Sequence, residues 1–219
     1  MRRFLILLVL WVAACTGINP DDPHYRAFVD VAQKVEPVGE AQCRKKNPNR
    51  NCDFQVQLDL DPAAPANAFQ SVDRSGRPVV IFTGTMLKSF RNADEMAFVM
   101  SHEMAHHILG HLDRQRINAV KGAVFLGELV SLEGGTPEQV ANAQYVGAVV
   151  GARSYSKAFE LEADTLGTII THQAGYRPSI GVKYFDAIPD PGDAFLGTHP
   201  ANPDRIRLVN QTIRKYRLN

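Results

Sequence analysis

The chain has 219 residues, 45% hydrophobic and 21% charged, with 16 Gly and 13 Pro. That is the composition of a globular domain, and it excludes a collagen-like, low-complexity or wholly disordered chain. Lys and Arg total 24 against 23 Asp and Glu, a formal charge of +1, without the basic excess that a nucleic-acid binder carries.

Met1-Arg2-Arg3 is a short basic segment ahead of an uninterrupted apolar run from Phe4 to Ala14. A membrane-spanning helix needs about 20 such residues, so residues 1–14 read as a signal peptide. The run ends in Val12-Ala13-Ala14-Cys15, which resembles the bacterial lipobox, small residues before an obligatory Cys. The resemblance implies cleavage before Cys15 and lipid on that residue; a plain signal peptide or a short anchor are the other readings. Thr16 follows the Cys in place of Asp, which in Gram-negative lipoproteins implies the outer membrane. Losing Arg2 and Arg3 would turn the charge from +1 to −1. Residues 15–23 then read as a tether and residues 24–219 as a periplasmic body held to the membrane by its lipid.

With Cys15 so used, Cys43 and Cys52 are an even pair in an oxidising compartment and are expected to form a disulfide. Their spacing is too wide for a zinc knuckle, and a bridge over so short a loop contributes on the order of 2–3 kcal/mol. The basic residues of this segment read as a solvated tip, with contact to an anionic surface as the other reading.

Phe28, Val31, Ala32 and Val35 follow helical spacing and predict an amphipathic helix of about three turns. Phe54, Val56, Leu58 and Leu60 alternate with polar residues and predict a strand. Prolines at 62 and 65 separate it from Asn67-Ala68-Phe69-Gln70, and Ser75-Gly76 turns the chain into the apolar run Pro78 to Thr83. Helical patterns follow. Asn92 with Glu95 resembles a capping box, Thr136-Pro137-Glu138-Gln139 is a second helix start, Gly175 ends a later helix and Asn202-Pro203 opens the last. Strands first and helices after predict one α+β domain, a small antiparallel sheet followed by a mainly helical part.

The helix opened by Asn92 contains His102-Glu103-Met104-Ala105-His106. Two His at i and i+4 share one helical face and can converge on one cation, with Glu103 placed to deprotonate a water. The surrounding Met96, Val99, Met100, Ile108 and Leu109 predict burial, and buried imidazoles need partners. Catalytic zinc takes a third protein ligand and keeps one position open. Leu109 and Leu112 occupy the places where a metzincin carries Gly and His, so that reading fails. Glu128, Glu133, Glu160 and Glu162 remain as candidates. Glu160 and Asp164 lie four apart on one face, so one can ligate while the other orients a His from its far nitrogen. Glu162 points away from them and reads as an exposed or structural carboxylate. His107 and His111 repeat the i, i+4 spacing on another face and read as structural.

Asn67-Ala68-Phe69, the motif from His102 to His111, Glu160-x-Glu162-Ala163-Asp164, and Thr198-His199-Pro200 with Arg205 together resemble the HtpX and CAAX-prenyl-protease family of zinc endopeptidases. The likeness covers roughly residues 25–215. In lacking transmembrane helices the chain is similar to the lipid-anchored or periplasmic branch that includes LoiP and BepA. It departs at Lys157, where the family often has Arg. The resemblance implies a zincin-like metalloprotease domain with one Zn²⁺ held by His102, His106 and Glu160. It implies Glu103 as general base and Asp164 as the partner of a ligating His, His102 by preference. His199 is implied either as a latch on the open zinc position or as an oxyanion donor. Arg205 is implied as a donor to oxyanion or substrate, or as the partner of a carboxylate. Substrate is expected to lie extended along the sheet edge near Asn67–Gln70. The substrates implied are unfolded or misassembled envelope proteins; an envelope-assembly chaperone or scaffold with a latched or structural zinc site is the alternative.

Overall fold

The computed structural model of the chain describes residues 21–154, 156–190 and 200–218. The leader, Cys15 and His199 lie outside the described residues. The elements run α1 (Pro23–Lys46), β1 (Gln55–Asp59), β2 (Ala68–Val72), β3 (Pro78–Thr83), α2 (Gly84–Leu87), α3 (Ala93–Ile108), α4 (His111–Leu132), α5 (Pro137–Arg153), α6 (Ser156–Gln173), α7 (Pro178–Gly181), a 3-10 turn (Val182–Asp186) and α8 (Asn202–Tyr216). This is the expected α+β order, strands before helices.

The sheet is mixed rather than antiparallel. Its order is β1-β3-β2, with β2 antiparallel and β1 parallel to β3. Only one connection is a tight turn: the Asp73 carboxylate accepts the N–H groups of Ser75 and Arg77 at 2.7 and 2.9 Å and folds β2 back on β3. The link between β1 and β2 holds Pro62 and Pro65, cannot close as a hairpin, and carries the chain to the far side of β3. β2 is thereby left at an edge, against α3.

α1 is twice the predicted length. Its buried face continues from Phe28, Val31 and Val35 to Gly39 and Cys43, residues that an apolar count passes over. Gly39 is there because α3 lies so close: a Cβ would meet the Met104 sulfur at 2.5 Å. Pro37 is tolerated because it lies on the exposed side. Cys43 and Cys52 are joined by a disulfide. The loop it closes caps the end of α3, with Asn47 donating to the Ile108 carbonyl at 2.6 Å and Arg50 to that of His107 at 3.3 Å. Arg50 also pairs with Asp113 at 3.1 Å, so this part of the basic segment works inside the fold.

α3 is the central element, packed against α1, α6, β2 and β3, with Met96, Phe98, Met100, Met104 and Ile108 all buried. Asn92 caps it by accepting the Glu95 N–H at 3.0 Å, while the Glu95 carboxylate takes the N–H of Arg91 instead of closing the box on Asn92. The capping box at Thr136 and Gln139 is complete. α6 reaches α3 at Gly167, where an added Cβ would lie 3.1 Å from the His102 Cα and backbone nitrogen. Gly167→Val should therefore push the two helices apart and lower zinc affinity by about tenfold or more, because ligand placement tolerates little error. A zinc competition titration checks this, with circular dichroism showing the helices retained.

Candidate metal centre

Glu160 on α6 faces His102 and His106, one turn apart on α3. His102 Nε2 lies 3.3 Å from Glu160 Oε2, His106 Nε2 lies 3.3 Å from Glu160 Oε1, and the two Nε2 atoms are 3.0 Å apart. The far nitrogens are engaged elsewhere: His102 Nδ1 lies 3.0 Å from Asp164 Oδ1, and His106 Nδ1 lies 2.9 Å from His111 Nδ1. Assigning the protons to those far nitrogens leaves a lone pair on each Nε2. Two imidazole nitrogens and a carboxylate then converge on one point, the donor set and arrangement that a divalent metal ion takes. Bonds of about 2.0–2.1 Å to a tetrahedral zinc would set its ligand atoms about 3.3 Å apart. The residues therefore fit the ion that the sequence implies.

The charges of the cluster say the same. Burial pushes the His102 imidazole down, but its hydrogen bonds to Asp164 and Glu160 outweigh this and lift its pKa up to about 10. A positive charge is thus strongly favoured at this spot. Glu103 is half-buried on the cleft side. Burial raises its carboxyl above the usual range, against the opposing pull of His102 and His106.

Arg205 reaches in from α8. Its Nε donates to Asp164 Oδ2 at 2.8 Å and its Nη2 to Asp164 Oδ1 at 2.7 Å, while the guanidinium lies over the Phe185 ring, 3.9 Å from its centroid. The carboxylate-partner contact is thus the one the structure contains, with Glu160 Oε2 3.4 Å from the same Nη2. Burial would raise the Asp164 carboxyl, but Arg205 and then His102 hold it below its ordinary range.

His111, read from its spacing as a structural residue on another face, is in contact with the ligand His106. Gly110 adopts φ 69°, in the left-handed region, and breaks α3 from α4 so that His111 swings back onto His106. His111 is buried, stacked on Phe159 with ring centroids 4.7 Å apart, and its Nε2 lies 3.2 Å from Glu162 Oε2. Arg114 holds Glu162 with two bonds, of 2.5 and 3.2 Å. Burial and the neighbouring His106 push the His111 pKa down to about 4, so its ring is neutral at ordinary pH and its Nδ1 can accept. Glu162 is the partly exposed structural carboxylate expected, yet it connects to the site through His111. The available signal was Gly110, which ends the α3 register and makes face assignment by i, i+4 spacing invalid beyond it. His107 does take a structural place, with Nε2 2.9 Å from the Asn51 carbonyl oxygen and its ring edge-on to Phe54.

Two hollows flank the ligands. One, of about 330 Å³, runs along Asn67–Gln70 toward His111 and Phe159; the other, of about 380 Å³, is walled by Met86, Phe98, Val99, Tyr184 and Phe185. Both reach His102, Glu103 and Glu160. Together they form a cleft across the site with β2 along it.

Comparison with known proteins agrees with this geometry. The family model described as Peptidase family M48 matches residues 30–213. The chain belongs to peptidase family M48. M48 metalloproteases are zinc-dependent, and in this M48 chain the triad His102, His106 and Glu160 could hold the ion. Among relatives it is 28% identical over 137 residues to mitochondrial metalloendopeptidase OMA1 of Arabidopsis thaliana, covering 61% of this chain and 27% of that protein. It is 27% identical over 179 residues to the "Putative beta-barrel assembly-enhancing protease" of Vibrio cholerae, covering 71% and 36%. It is 26% identical over 176 residues to OMA1 of Saccharomyces cerevisiae, covering 74% and 48%. The chain thus spans between about a quarter and a half of the length of these curated relatives. Among the described residues no helix is long and apolar enough to cross a membrane.

Proposed function

We propose that this M48 chain is a zinc endopeptidase of the bacterial cell envelope, cleaving unfolded or misassembled envelope proteins. The observation that carries the peptidase reading is the convergence of three ligand-type side chains, His102, His106 and Glu160, on one point beside Glu103. The envelope reading rests on the lipobox-like Cys15, on the Cys43–Cys52 disulfide, which suits an oxidising compartment, and on the Vibrio cholerae relative named for β-barrel assembly. We place the mature chain on the periplasmic side of the outer membrane, tethered through Cys15.

A bound zinc ion would supply Lewis acidity toward the scissile carbonyl and acidify a water. Glu103 accepts the proton of the attacking water and delivers it to the leaving amine. Its raised carboxyl pKa makes it the stronger base for the first step. Asp164 holds His102 with Nε2 turned toward the ligand point, and Arg205 holds Asp164. The free edge of β2 offers main-chain groups to an extended polypeptide, which gives affinity with little dependence on side chains. That suits unfolded substrates. His199, as latch or oxyanion donor, is distinguished by the sign of the His199→Ala effect, a gain of activity for the first and a loss for the second.

The test is turnover. Detergent-solubilised full chain should cleave unfolded casein, lose that activity to a zinc chelator and regain it with added zinc. Stoichiometric zinc with no cleavage of any unfolded substrate would favour the chaperone or scaffold instead.

His111 supplies a second test of the ligand set. We assign it to holding the His106 tautomer, with His111 Nδ1 accepting and its Nε2–H turned to Glu162. His111→Ala should weaken zinc binding by about 10–100-fold with little change in melting temperature of the metal-free chain. His111→Asn, which keeps an acceptor, should recover part of the loss. Equal zinc affinity in all three proteins would reject the assignment.

A further inference from the structure

α4 and α5 form a long antiparallel hairpin whose backbones touch at glycines; a Cβ on Gly122 would lie 2.1 Å from the Gly147 carbonyl oxygen. Beyond its root, α4 packs on α5 and on little else. The face of α4 turned from α5 is apolar: Ile117, Val120, Val124, Phe125, Leu129 and Leu132 are between 48% and 86% exposed. They leave roughly 700 Å² of residue surface in water, spread over half the circumference of the helix.

The order of residues along this face identifies what covers it. An isologous antiparallel pair of α4 helices, with its two-fold axis between residues 124 and 125, sets each residue i opposite residue 249 − i of the mate. That register places Ile117 beside Leu132 of the mate near the centre of the seam, sets Val124 and Phe125 each beside its own symmetry copy, and leaves Val120 and Leu129 on the two flanks. The charges at the centre of the seam also match: Lys121 meets Glu128 of the mate, a pair of opposite sign repeated by symmetry. Lys121 and Glu128 lie within the apolar face, where a lipid surface would strip them of water without a partner. A second copy supplies that partner.

We propose that the chain forms a two-fold dimer through the outer face of α4, in this antiparallel register. The dimer goes beyond the peptidase reading and does not depend on it. Its helices cross at close range about the 124–125 axis, and the active-site clefts lie at the roots of the two hairpins.

Cysteine cross-linking on the full chain in detergent tests both the partner and the register. Val124→Cys alone should give a disulfide-linked dimer on a non-reducing gel, absent from the parent chain. Ile117→Cys alone and Leu132→Cys alone should not, because each lies about 22 Å from its own copy across the axis. The double variant Ile117→Cys/Leu132→Cys should cross-link. Sedimentation equilibrium of Lys121→Glu should show dimer affinity reduced by about tenfold, with Lys121→Glu/Glu128→Lys returning most of it. Cross-linking of all single variants alike, a monomer at every concentration, or a monomer whose α4 inserts into phospholipid vesicles would each overturn the proposal. None of these readouts requires peptidase activity, so failure here and failure of the peptidase reading are separable.

Discussion

Glu103→Gln should abolish peptide hydrolysis, lowering kcat/KM by about 10³–10⁴-fold, while zinc still binds at one ion per chain. The substitution keeps the shape of the side chain and removes only its ability to take a proton. The ligand atoms belong to His102, His106 and Glu160, and none of their far contacts involves Glu103: Asp164 engages His102, and His111 engages His106. Zinc affinity should therefore stay within a few-fold of the parent's. The chain should also remain as stable as the parent, since the amide keeps the side chain's shape and costs less to bury than a carboxylate. Casein cleavage and zinc content, measured on the same preparation, decide the matter. Parent-level cleavage by the zinc-loaded variant would remove Glu103 from the mechanism.

The local parts of this reading were legible in the chain because they rest on short-range rules. Helical periodicity places His102 and His106 on one face, and the four-residue step from Glu160 to Asp164 makes one a ligand neighbour and the other a His partner; the structure brings these side chains together as those spacings require. Cap residues at Asn92 and Thr136 were readable for the same reason. What local rules could not show was set by long-range packing. Strand pairing order depends on where residues 60–67 cross, so a run of three strands looked antiparallel when β1 in fact joins β3 in parallel. The second half of α1 is buried through Gly39 and Cys43, whose value lies in closeness to α3 and not in apolar area. His111 was placed on the wrong face because a single left-handed residue, Gly110, resets the helical phase before it. The exposure of α4 was equally invisible, since apolar residues at helical spacing look the same whether a core or a second molecule covers them.

Loss of Asp164 should do more damage to the fold than loss of any other single group at the site. Its carboxylate is fully buried and takes two bonds from Arg205 and one contact from His102. Asp164→Leu leaves a guanidinium sealed among Phe185, Glu160 and His102 with its principal partner gone, and breaking such a pair from one side costs about 3–5 kcal/mol. The same change frees the His102 ring to turn, so zinc affinity should fall by about 10–100-fold. Removing both charges separates the two effects. Asp164→Leu/Arg205→Met should recover most of the stability, because no unpaired ion remains, yet leave zinc binding weak, because nothing restores the His102 tautomer. Urea unfolding of the metal-free proteins reads the first effect and zinc competition reads the second. The sign of the pH dependence follows from the same pair: Arg205 and His102 hold the Asp164 carboxyl below its ordinary range against burial, so its contribution is complete at neutral pH and is lost as acid protonates it. In the double variant that part of the acid sensitivity should disappear. A single Asp164→Leu protein as stable as its parent, or a double variant that binds zinc at full strength, would show that the Arg205–Asp164 pair neither supports the helices nor aims the ligand.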